Sequence, residues 1–237
     1  MKRRREMEKQ CSSELRSTID ELSLLAVMKF KHHRHLHHHN DPVITDGLPN
    51  DTHIPTRPFL SVCNFLLHLL DKIGPTMAVL RQDIHRNILR LEKMQELDPV
   101  LYSNVVEILK KEASEGTSRK MSSCSKAFVW LTRSLDFTSN LLDLIGKDLG
   151  VNIEQAVQEA YEATLKPWHG WISSTAYRVA LKLVPDNKTL IGILMSETVD
   201  QETLKEELKS FTSLLASFLN ELHTILETYK LHKVKAT

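Results

Sequence analysis

With 237 residues, 41% hydrophobic and 26% charged, the chain can bury one sizeable core and fits one globular domain plus a loose segment. Its 31 basic and 30 acidic residues leave a formal charge of +1, so no whole-molecule field favours a polyanion, and a nucleic-acid partner is not expected. Cys11, Cys63 and Cys124 are far apart and form no CxxC pair, which fits reduced thiols and argues against a disulfide framework or a zinc site. The basic start, Lys2 to Arg5, is followed by no apolar signal core, and no stretch reaches the roughly 18 apolar residues of a membrane span. A soluble, cytosolic protein is expected.

Leu15, Ile19, Leu22 and Leu25 predict a helix from about Ser13 to Phe30. The chain then turns basic and histidine-rich through His32, His33, His35, His37, His38 and His39. Dense turn residues follow, including Asp41-Pro42, Asp46-Gly47, Pro49, Pro55 and Pro58. The segment reads as a disordered linker more readily than as a transition-metal site, because it lacks apolar residues to order it. The expected division is therefore an extension over 1–52 and a main domain over 53–237.

From Phe59 onward, apolar residues recur at spacings of three and four. Phe59, Val62, Cys63, Leu66, Leu69, Leu70 and Ile73 predict a helix that stops at Gly74-Pro75. Met77, Leu80, Ile84, Ile88 and Leu91 predict a second from Thr76 to about Leu97. Asp98-Pro99 then reads as an aspartate cap and first-turn proline for a helix through Tyr102, Val105, Val106 and Leu109. After a polar connection, helices are expected at Lys126 to Ile145, Ile153 to Lys166, Trp168 to Leu183, Thr189 to Met195 and Leu204 to Tyr229. No period-two alternation and no internal repeat is found, so the class is all-α.

Few residues suggest chemistry. At about 100° per residue, Asp83, Asn87 and Arg90 fall within roughly 60° of one another on one helix face. They combine an acceptor, an amide that donates and accepts, and a planar multi-donor, a set suited to a hydroxyl-rich or amide-bearing head group. On spacing alone, such a trio reads first as a solvated helix face. Trp130 shares a face with Phe137 and Leu141, where an indole ordinarily fills core but can also stack on a sugar ring. In Trp168-His169-Gly170-Trp171, two amphipathic rings flank a histidine, an arrangement suited to a boundary between apolar and wet surroundings. No serine or cysteine stands in a convincing triad with His169, so a non-enzymatic role is expected.

Three segments, Leu80 to Arg90, Val129-Trp130-Leu-Thr-Arg133 and Leu165 to Trp171, together with Leu183-Val-Pro185, resemble the signature segments of the glycolipid transfer protein family, in a plant-type member. The resemblance runs from about Pro55 to near the C-terminus. It implies a two-layer helical sandwich with an internal apolar pocket for ceramide chains, holding neither metal nor cofactor. It also implies roles: Asp83 and Asn87 bonding head-group hydroxyls, with Asp83 also accepting from the ceramide amide, and Arg90 assisting. Trp130 would stack on the first sugar, His169 would donate to the amide carbonyl, and Trp171 would dock on the membrane.

A branch of this family carries ceramide 1-phosphate through a lysine at the Asn87 position and arginines at the Lys126 and Trp130 positions. Asn87 and Trp130 favour an uncharged sugar, while Lys126 is a possible secondary head-group contact. The expected function is transfer of simple glycosphingolipids such as glucosylceramide by a monomer that meets membranes transiently. Periodicity assigns Phe59, Leu66, Phe137, Leu141 and C-terminal leucines to the pocket. The alternatives are a ceramide 1-phosphate carrier and a sphingolipid-sensing adaptor that binds protein partners.

Overall fold

The computed structural model describes residues 14–27, 53–195 and 200–236. The Lys2 to Arg5 cluster, Cys11, the histidine run and the turn residues up to Pro49 lie outside them. Helix α1 covers residues 14–27. It is followed by α2 (Thr56–Ile73), α3 (Ala78–Leu97), α4 (Val105–Ser114), α5 (Cys124–Lys147), α6 (Ile153–Thr164), α7 (Trp171–Leu181), α8 (Asn187–Leu194) and α9 (Gln201–Thr228). Among the described residues there is no strand, and the one β-type contact is an isolated bridge between Pro55 and Asn104.

Long helix α5 lies at the centre, with α3, α6 and α9 against it and α2 packed on α3. Its buried side chains include Phe128, Val129, Leu131, Leu135, Leu142 and Ile145. Each such side chain favours the folded chain by about 1.5–3 kcal/mol relative to exposure, before conformational entropy is counted. Gly146 lets α9 approach closely, since a Cβ there would stand 3.3 Å from the Leu208 Cβ. Leu15 and Leu22 of α1 join the same core, Glu14 lies 3.7 Å from the Lys72 ammonium, and Arg16 pairs with Glu207. The helix on the N-terminal side of the expected division near His53 is thus seated on the main core.

Capping chemistry explains most helix starts. Ser123, Asn152, Asp186 and Asp200 each accept a backbone N–H of the first turn of α5, α6, α8 and α9. The expected opening of α4 at Asp98-Pro99 is corrected. The Asp98 carboxylate does accept from Leu101 N at 2.9 Å, but the turn it caps is a short 3-10 segment, Leu101–Ser103, and Tyr102 leaves helical geometry. Helix α4 starts at Val105, because Asn104 Oδ1 accepts from both Val106 N (3.1 Å) and Ile54 N (3.0 Å). Tying the chain to the start of α2 breaks the helix that aspartate and proline would otherwise begin. Likewise, α3 is preceded by a 3-10 turn at Pro75–Met77, and Trp168 ends a 3-10 turn, Lys166–Trp168, three residues before α7 begins at Trp171.

Candidate functional site

Helix α3 presents the polar trio in graded exposure. Asp83 is exposed, and its carboxylate has no hydrogen bond among the described residues. One turn on, Asn87 is buried and accepts from the Arg90 guanidinium at 3.1 Å, which leaves the Nδ2 hydrogens for another acceptor. Arg90 is joined to α5 through its backbone, where the Cys124 thiol donates to its carbonyl at 3.4 Å. The trio therefore sits at the seam between α3 and the first turn of α5.

That first turn is held by Glu112 of α4. Its carboxylate accepts from Cys124 N (2.7 Å), Ser125 N (2.7 Å) and Ser125 Oγ (2.6 Å), so a charge satisfies the N-terminal amides of α5. Burial, and secondarily the Glu112 charge, push the Cys124 thiol up to about 12, with Arg90 opposing. Lys126 is buried and points its ammonium at Met121 Sδ, 3.0 Å away.

Further along α5, Trp130 is half-buried, and its ring lies 5.7 Å from that of His169. Tyr161 of α6 stands 5.5 Å from His169, so the imidazole has an aromatic neighbour on each of two helices. Its Nδ1 is buried without a hydrogen-bond partner. Such an orphaned atom costs about 1–3 kcal/mol, a cost that a bound molecule would remove. Burial, and then the Arg133 charge, hold the imidazole below its ordinary pKa, so it is neutral at neutral pH with one N–H to donate.

Arg133 is the residue that sequence reasoning passed over. It is only 3% exposed, and its guanidinium carbon lies 4.9 Å from the Trp130 ring centre and 4.2 Å from that of Trp168. Burial lowers its pKa to about 10, which leaves it charged at neutral pH. Two terminal carbonyls, Val234 O (2.6 Å) and His232 O (3.0 Å), accept from it. Its position three residues after Trp130 was a usable signal, since that spacing shares a helix face. The carbonyl partners were not legible, because they come from the chain's other end.

Trp171 begins α7 and is 80% exposed. Of the residues expected to line a lipid pocket, Phe59 and Leu66 are buried in the core, and Phe137 and Leu141 pack partly buried against it. A separate open groove of about 670 Å³ runs between α5, α6 and α9, lined by polar side chains such as Asp136, Asn140, Lys209 and His223.

The family model described as Glycolipid transfer protein (GLTP) matches residues 54–196, and the chain belongs to this family. It is a plant-type member. Glycolipid transfer protein 3 of Arabidopsis thaliana is 49% identical and glycolipid transfer protein 2 is 46% identical, each alignment spanning 100% of both chains. Among solved structures, FAPP2, described as selecting simple glycosphingolipids using this fold, superposes with a TM-score of 0.73 at 24% identity, over 80% of this chain and 93% of that one. A mutant of the Arabidopsis accelerated-cell-death 11 protein, complexed with ceramide-1-phosphate, gives 0.74 at 18% identity, over 92% and 96%. These likenesses establish the fold as the helical sandwich of this family.

Proposed function

We propose that the chain carries simple glycosphingolipids, such as glucosylceramide, between membranes, one lipid at a time. The observation that carries this reading is the state of the cations on α3 and α5. Arg133 is committed to two carbonyls, Lys126 is turned to a thioether and Arg90 is bonded to Asn87, so among the described residues these three do not form a cluster of convergent free cations for a phosphate. What remains open is an unpaired carboxylate at Asp83, amide hydrogens at Asn87, an indole at Trp130 and a neutral imidazole at His169. Those groups suit hydroxyls, a sugar face and an amide. The names of the full-length relatives point the same way, and members of the family are lipid carriers and not enzymes.

In this reading, residues 53–237 are the carrier unit, and 1–52 form an extension whose helix α1 rests on it. Trp171 inserts into the membrane surface, and Asp83, Asn87, Arg90 and Trp130 take the sugar. Asp83 and His169 take the ceramide amide from its N–H and C=O sides. The hydrocarbon chains then pass among Phe59, Leu66, Phe137, Leu141 and the leucines of α9. Moving a two-chain lipid through water would cost about 0.8 kcal/mol for every methylene exposed, so the apolar interior is what makes transfer fast. Head groups are read more strictly than tails, because an unpaired buried donor or acceptor costs about 1–3 kcal/mol whereas chain length changes the apolar contribution gradually.

Lys126, in the first turn of α5 with its ammonium bonded, among the described residues, only to the Met121 thioether, favours a second reading in which the cargo is ceramide 1-phosphate. Radiolabelled glucosylceramide in donor vesicles tests carriage itself. The proposal expects chemically unchanged lipid to appear in acceptor vesicles at a rate proportional to protein. Stoichiometric retention without exchange would instead make the protein a sensor or adaptor.

A further inference from the structure

Residues 230–236 are tied to the site at several points. Helix α9 ends in a reversing turn in which Lys230 N donates to Glu227 O (2.9 Å) and Leu231 N to Leu226 O (2.7 Å). Lys230 holds φ at 54°, a left-handed conformation that costs a side-chain-bearing residue about 1–2 kcal/mol. Leu231 is buried immediately afterwards and anchors the reversal. The chain is thereby turned back toward α5, where the Arg133 fork takes the carbonyls of His232 and Val234. Two residues on, Ala236 N donates to Trp168 O at 2.9 Å.

Trp168 is the neighbour of His169 in the chain, and the same Arg133 guanidinium lies over both the Trp168 and Trp130 rings. The strap thus holds the backbone before His169, while Arg133 spaces the two indoles that flank it. We propose that residues 231–236 and Arg133 form a positioning device that sets His169 for the amide of the bound lipid. This rests on the reading of His169 as an amide-recognising donor. Arg133 itself is a positioning residue, since its two hydrogen bonds go to the strap and its faces to indoles. A lysine would keep the charge but could not present two fixed N–H groups to two carbonyls, so the planar fork is the property required.

The test measures vesicle transfer of glucosylceramide against a glucosyl diacylglycerol, which keeps the sugar and replaces the amide by an ester. Wild type, Arg133→Lys, Ala236→Pro, His169→Ala and the two double variants carrying His169→Ala are compared, with thermal melts alongside. Ala236→Pro removes only the terminal N–H and leaves Leu231 in the core, so it tests the strap even where Arg133→Lys weakens folding. Each strap variant is expected to lower the preference for the ceramide lipid about tenfold, with vesicle partition unchanged. Neither should lower it further in the His169→Ala background, because groups that act through one residue are not additive with it. Additive losses, or an unchanged preference in Ala236→Pro, would overturn the strap's role while leaving His169 in place. An unchanged preference in His169→Ala would overturn the amide reading itself, and the strap's role with it.

Discussion

Trp168 and Trp171 lie three residues apart and have opposite surroundings. Trp168 is stacked on a buried guanidinium and its carbonyl is tied to the chain terminus. Trp171 is 80% exposed at the start of a helix with no buried residue at all. Ile172, Val179 and Leu183 accompany it as exposed apolar side chains, with Arg178 and Lys182 exposed beside them. In the proposed reading, the difference separates two tasks. A group that recognises a head group must be held in place beforehand, whereas one that meets a bilayer needs only apolar area that the protein does not use itself.

The separation can be broken most forcefully from the recognition side. Asp83→Val removes an unpaired, exposed carboxylate, so the melting curve should stay in place. Glucosylceramide transfer should fall about a hundredfold, as for losing about 3 kcal/mol of charge-assisted bonding. Retained transfer by the folded variant would remove Asp83 from the site. Trp171→Ala should lower vesicle partition and transfer rate together by about tenfold and leave the ceramide-over-diacylglycerol preference intact. A change of preference there would mean that docking and recognition are one surface.

The smallest expected effect is on stability against pH, and it separates His169, the proposed amide donor, from a distant histidine. His169 has its pKa lowered, mainly by burial, so the unfolded chain takes up this proton first as pH falls. Its contribution to stability is complete above the ordinary histidine value of 6.5 and shrinks as pH drops toward its folded pKa. His223, whose Nε2 lies 2.9 Å from Asp136, has its pKa raised by that hydrogen bond. Its contribution is complete below 6.5 and is lost as pH rises through its folded value. The two oppose each other, so His223→Gln should make the fall of Tm between about pH 7 and pH 5.5 steeper than in wild type. An equal or shallower fall would contradict the raised pKa that the Asp136 hydrogen bond gives His223.

Helix existence was legible from the sequence because the apolar stripes of α2, α5 and α9 are long and strongly periodic; Phe59, Val62, Cys63, Leu66, Leu69 and Leu70 of α2 are buried, whereas the α5 face read through Trp130, Phe137 and Leu141 is only half-buried and the core takes Phe128, Leu131, Leu135 and Leu142 instead. Boundaries were less so where a local signal met a tertiary one. Asp98-Pro99 is a sound helix opening by itself, yet Asn104 is pulled to Ile54 and sets the start of α4. In the candidate site, the Asn87–Arg90 contact followed from helical spacing, and the Trp130–His169 approach was implied by family resemblance. Glu112 on the start of α5 and the terminal carbonyls on Arg133 were not legible. They join residues 12 and 101 positions apart through backbone atoms, for which side-chain pattern carries no signal.

The central claim is that the head-group site is built for an uncharged sugar, and one comparison addresses it most directly. Transfer of glucosylceramide and ceramide 1-phosphate between vesicles is measured side by side for wild type and Asn87→Lys. The account predicts that wild type moves the sugar lipid faster and that Asn87→Lys, which adds a cation beside Arg90, shifts the preference toward the phosphate by about tenfold or more. Faster transfer of the phosphate lipid by wild type would contradict it and make Arg90 and Lys126 the principal head-group residues.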